Sequence, residues 1–136
     1  MKVIPTSKTV VEINKFLCLE GGNPHHCYDI GKVESAIHTA FYPGSYPFAA
    51  GGPAHIAGAL CFYLVKSHAF MDGNKRTGAL VAMTFLENIG WSLQYPIDEK
   101  AGTDALAEII DATASGSISK EELMKWFDTH KVRIEE

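Results

Sequence analysis

The run IAGALCFYLV at residues 56–65 constrains this chain most. It carries no charge, and Tyr63 is its only hydrogen-bonding side chain apart from the weak Cys61 thiol. An apolar run without a polar stripe predicts a helix covered by protein on all sides, and Pro53 suits its first turn. It falls well short of the ~18 apolar residues that cross a bilayer. The rest of the chain must therefore supply its cover. With 136 residues, 46% hydrophobic and 21% charged, the chain is ordinary for a globular fold and predicts a single domain over residues 1–136. The net charge of −4 argues against a general nucleic-acid coat. Cys18, Cys27 and Cys61 are odd in number and form no CxxC, which disfavours a disulfide framework or zinc ribbon. No apolar leader opens the chain, so a cytoplasmic location and no membrane contact are expected.

Helical spacing recurs on either side of the apolar run. Val10, Ile13, Phe16 and Leu17 follow a possible capping box, Thr9-Val10-Val11-Glu12, and the Gly-Gly-Asn-Pro at 21–24 stops that helix. Asp29 is placed to cap a second helix with Val33, Ala36, Ile37 and Ala40 on one face. The aromatic stretch at 41–48, broken by Pro43-Gly44 and Pro47, predicts a turn or short edge hairpin. A further helix runs from Gly73 to about Ile89, and a short extended piece covers 91–95. Two last helices, 104–112 and 119–130, are split by Ser115-Gly116-Ser117, with a second capping box at Ser119 and Glu122. The sum is all-α: about six helices and a short β-hairpin.

The segment between the two most apolar helices reads Ser67-His68-Ala69-Phe70-Met71-Asp72-Gly73-Asn74-Lys75-Arg76-Thr77-Gly78. A helix N-terminus carries roughly half a positive charge and favours acids in its first turn. Here Lys75 and Arg76 stand there instead, behind a glycine that bares the backbone N–H groups. Dipole, N–H groups and two cations all call for an anion, and phosphate is the usual one. Asp72 could share a Mg²⁺ ion with phosphate oxygens, or simply cap the helix. His68 is the nearby group able to take a proton near neutral pH. A base, a metal carboxylate and a phosphate cradle within nine residues point to nucleotide-dependent transfer to a hydroxyl.

The stretch from His68 to Thr77 resembles the signature of the Fic/Doc (Fido) family, HxFx(D/E)GNGRxxR, and its Asn-Lys-Arg-Thr version looks like the death-on-curing (Doc) branch. The likeness extends over most of the chain, including residues 31–37, 52–67 and 115–119. It implies a compact Fido-type helical bundle and a transferase acting on a target protein, with ATP or another nucleotide as donor and Mg²⁺ as cofactor. His68 would be the general base for a Ser, Thr or Tyr hydroxyl, and Phe70 a buried anchor. Asp72 would hold Mg²⁺. Gly73, Asn74, Lys75, Arg76 and Thr77 would line the phosphate seat, and Arg76 would neutralise charge in the transition state. The segment with Tyr42, Gly44, Ser45 and Tyr46 would be a flap that pairs with the target's backbone as an added strand.

Two departures bear on the reaction. Lys75 replaces the second motif glycine, and Ala79 stands where the pattern ends in arginine. In adenylylating Fic enzymes those positions help seat the α- and β-phosphates. In Doc a similar change accompanies a reversed nucleotide and protein phosphorylation, although Doc has alanine where this chain has Gly73. Phosphorylation is therefore the expectation, with adenylylation the alternative and a non-catalytic nucleotide- or antitoxin-binding module the alternative of another class. The resemblance also implies a toxin–antitoxin pair, a translation factor as one candidate target, and no direct nucleic-acid contact. The inhibitory motif (S/T)xxxE(G/N) is absent, so inhibition is expected from a separate antitoxin.

Other motifs weigh less. A P-loop fails because Ala79 stands where lysine is required and no strand precedes. Residues 111–122 trace an EF-hand spacing, but Thr113 and Ser115 replace two ligands. His25-His26-Cys27 lacks a second ligand pair for zinc. His38 and His55 are expected on helix surfaces near the cleft, and Cys61, Met83 and Phe85 in the core.

Overall fold

The computed structural model describes residues 4–42 and 52–135. Among these residues six helices and four short strands follow in the order α1 (Ser7–Glu20), α2 (Ile30–Phe41), α3 (Pro53–Ser67), α4 (Asn74–Asn88), β1 (Trp91–Leu93), β2 (Ile97–Asp98), β3 (Thr103–Asp104), α5 (Ala105–Ser115), α6 (Lys120–His130) and β4 (Lys131–Arg133). The mostly helical bundle expected from the sequence is what the chain forms. Of the aromatic hairpin only Phe41 and Tyr42 belong to the described residues; Gly44, Ser45 and Tyr46 lie outside them.

Helix α3 is the axis. Nine of its residues are buried, Ala54 through Val65 on every side, and α2, α4, α5 and α6 all pack on it. Two glycines let the neighbours approach. A Cβ on Gly58 would stand 2.6 Å from the Met124 Cα of α6, and one on Gly78 of α4 would stand 2.8 Å from the Val65 side chain. The rest of the core includes Val10, Val33, Phe41, Val81, Phe85, Leu86, Leu123 and Phe127. Burying a side chain of this size contributes about 1.5–3 kcal/mol.

Local chemistry sets the helix starts. Asp29 caps α2 through Gly31 N at 2.9 Å, Asp104 caps α5, and Ser119 with Glu122 closes a reciprocal capping box on α6. Helix α1 departs from expectation. Thr6, not Thr9, is its N-cap, and its buried stripe is Val10, Asn14 and Cys18, leaving Phe16 57% exposed. The extended piece at 91–93 pairs antiparallel with β4, Trp91 opposite Arg133. Nothing local in the sequence marks β4, because a two-stranded ladder draws its stability from the partner.

Candidate functional site

The motif turn is held from three sides. From the front, residues 26–28 run antiparallel to 69–71: Tyr28 N donates to Ala69 O at 2.8 Å and Met71 N to His26 O at 2.9 Å, around the Cys27–Phe70 bridge. His25-His26-Cys27 is thus a backbone buttress, and no group of three potential metal ligands occurs among the described residues. From within, the Asn74 side chain clamps the Phe70 backbone, accepting from its N–H at 3.1 Å and donating to its carbonyl at 2.9 Å. This commits Oδ1 and one Nδ2 hydrogen of Asn74, leaving its backbone N–H and the second amide hydrogen for an anion. Phe70 is buried, as an anchor should be.

The third support is α1. Asn14 is fully buried; its Nδ2 donates to Asp72 O at 2.8 Å and to Thr77 Oγ1 at 3.0 Å. The Asp72 carbonyl can only accept, which fixes the amide's orientation. Oδ1 then faces His25 Nδ1 at 2.9 Å, so that nitrogen carries the proton. Cys18 lies behind the same turn. Burial first, then the Asp72 carboxylate, hold its thiol above the usual range, against the pull of Arg76. Asn14 and His25 were not legible as site residues, although a lone amide on an otherwise apolar helical stripe is a usable signal.

On this frame His68 closes α3 with φ 52° and ψ 37°, the one non-glycine residue with positive φ among those described. Five residues on, Gly73 takes the α4 N-cap at φ 76° with no side-chain cap. The first helical hydrogen bond is Thr77 N to Gly73 O, which leaves the N–H groups of Asn74, Lys75 and Arg76 without helical partners. Asp72 does not cap the helix, and its carboxylate has no partner among the described residues. His68, Asp72, Gly73, Asn74, Lys75 and Arg76 line one cavity of about 280 Å³, with Val65, Met71 and Ala114. The residues proposed as base, metal ligand and phosphate seat are brought together, except Thr77, whose buried hydroxyl is taken by Asn14.

Lys75 and Arg76 also border a second cavity of about 400 Å³, formed with Ala79, Asp104, Leu106 and Asp111 among others. At this border Lys75 Nζ donates to Asp111 Oδ1 at 2.9 Å. Arg76 leans on the C-terminus of α1, its Nη1 3.4 Å from where a Gly21 Cβ would be. Asp111 to Ser115 is helical and Asp111 is paired, so the EF-hand spacing is no calcium loop. His38 stacks loosely on Tyr42, 5.5 Å between ring centroids, and His55 faces Asp128 at 4.0 Å; neither lines the motif cavity.

No curated protein matches the chain. The Fic/DOC family model matches residues 5–86, which takes in Asn14, the 26–28 buttress, the whole of α3 and the motif turn. With the motif geometry already in place, that match shows that the chain belongs to the Fic/DOC family of protein-modifying transferases.

Proposed function

We propose that this protein moves the terminal phosphoryl group of ATP to a hydroxyl on a target protein. The observation that carries the reading is the convergence on one cavity of His68, Asp72 and the free N–H groups of residues 74–76, beside Arg76. The neutral imidazole of His68 takes the Ser, Thr or Tyr hydroxyl proton as that oxygen attacks the γ-phosphorus. The bond from that phosphorus to its bridging oxygen breaks, and ADP leaves with the electron pair. The N–H groups and Arg76 stabilise charge on the transferring oxygens. The lone Asp72 carboxylate fits Mg²⁺, which is held by one or two carboxylates together with substrate phosphates. When bound, Mg²⁺ shields phosphate charge.

Transfer of the γ rather than the α group is supported by Lys75. It lines both cavities and is paired with Asp111 in the second, at one of the two motif positions that help seat the α- and β-phosphates in the family's adenylylating members, and Ala79, at the other, supplies no charge. Gly73 favours the second reading, transfer of AMP, because the resemblance to Doc fails at that position. The wider reading is a cytoplasmic toxin restrained by a separate antitoxin protein. The test is incubation with cell lysate, Mg²⁺ and either α- or γ-labelled ATP. Only the γ label should reach a protein band, and His68→Ala should abolish it. Transfer of the α label would establish adenylylation instead. No transfer of either label would leave the binding-module reading.

A further inference from the structure

A groove of about 320 Å³ runs between α2 and α3, outside both cavities described above. Lys32, Ser35 and Thr39 of α2 form one wall; Tyr63, Lys66 and Ser67 of α3 form the other. It carries two lysines and no carboxylate, on a chain with 16 acidic and 12 basic residues. Lys32 makes no ion pair among the described residues, and Lys66 reaches only the Ala114 carbonyl, at 3.4 Å. Lys120 of α6 donates to Tyr63 Oη at 3.1 Å behind that wall, but its charge is paired with Glu121 at 3.5 Å, so the groove's positive character rests on Lys32 and Lys66.

The groove and the motif cavity share no lining residue but adjoin one another along the chain. Ser67 is followed directly by His68. Ala114, which Lys66 touches, lines the motif cavity. Helix α2 ends at Phe41 with Tyr42 as its C-cap, where the segment that the resemblance gives to target binding begins. A polypeptide with its hydroxyl at His68 therefore has this groove as a path for its flanking residues.

We propose that the groove docks an acidic segment of the target protein beside the hydroxyl to be modified. The inference rests on the transferase reading. Carboxylates would meet Lys32 and Lys66, and the hydroxyls of Ser35, Thr39 and Ser67 suit carboxylate or backbone partners. A short acidic segment needs only this local match. A nucleic acid would extend its charge beyond the groove over a surface of net negative sign.

The probe is a fluorescent peptide of about ten residues, some 33 Å when extended, with one serine flanked by glutamates. A lysine-flanked peptide and a single-stranded oligonucleotide of similar length serve as comparisons. The glutamate peptide should bind saturably, and binding should weaken several-fold on raising salt from about 0.05 to 0.5 M. Lys32→Glu combined with Lys66→Glu should weaken it at least tenfold while leaving ATP affinity unchanged. Lys32→Gln with Lys66→Gln, which adds no repulsion, should give an intermediate loss. Equal peptide affinity in the wild type and both variants would overturn the proposal, as would tighter binding of the oligonucleotide. The labelled-ATP assay on the same proteins separates the two claims. No transfer by the wild type sinks the transferase reading. Undiminished labelling of the target by the glutamate variant sinks the groove alone.

Discussion

His68 holds a left-handed backbone that glycine or asparagine would adopt at lower cost; such a conformation costs an ordinary residue roughly 1–2 kcal/mol. A side chain kept there against that cost serves something other than stability. His68→Gly should therefore raise unfolding free energy by roughly 0.5–1 kcal/mol in urea while abolishing transfer. A variant that loses both would mean the imidazole supports the fold. Asn14→Ala should cost about 2–3 kcal/mol, since it removes the partner of the Thr77 hydroxyl and of His25 Nδ1 and leaves the Asp72 carbonyl only the weak Cys18 thiol. It should also shift the backbone ¹⁵N resonances of residues 72–77 beyond the shifts seen elsewhere in the molecule. The motif residues could be named in the sequence because they are contiguous and chemically distinctive. Asn14 could not, because its partners lie 58 and 63 positions away. The Lys75–Asp111 pair is hidden for the same reason, its members lying 36 positions apart, and in the sequence the spacing around Asp111 suggests only a calcium ligand.

At the scale of elements, the helices were legible wherever a local cap or a long apolar period marked them, as at Asp29, Pro53 and Ser119. The start of α1 is ambiguous in the sequence because two threonines compete for its cap, and the structure uses the earlier one. The exposure of Phe16 followed, since the true stripe runs through Val10, Asn14 and Cys18. Packing between elements makes its own predictions. Gly58→Ala has no room against the Met124 backbone and should destabilise by about 2–3 kcal/mol in chemical denaturation. At the junction of α6 and β4, Asp128 bonds Lys131 and faces His55. The Lys131 hydrogen bond, foremost, holds the Asp128 carboxyl below its usual value of 3.8, against a smaller opposing effect of burial. A depressed folded pKa stabilises above the unfolded value and is lost as pH falls through the folded one. Asp128→Asn should therefore unfold more easily than the wild type at pH 7, and the gap should close below pH 3.8 in a series of thermal melts.

For the molecule as a whole, nucleotide binding to the folded state should raise the melting temperature in proportion to the logarithm of ligand concentration above Kd. His68→Ala should keep that shift, because the imidazole acts on the acceptor hydroxyl and not on the phosphate seat. Loss of the shift in His68→Ala would place the histidine in nucleotide binding. The two glycine contacts of α3 bear on how the protein can respond to such a ligand. Gly58 meets the α6 backbone and Gly78 meets Val65, each without room for a methyl group, so α4 and α6 grip the central helix from two sides. Shear between packed helices needs slack that these crossings lack. Any closure around a nucleotide must then be confined to the loops, while the α3–α4–α6 frame keeps the same interhelical angles with and without ligand.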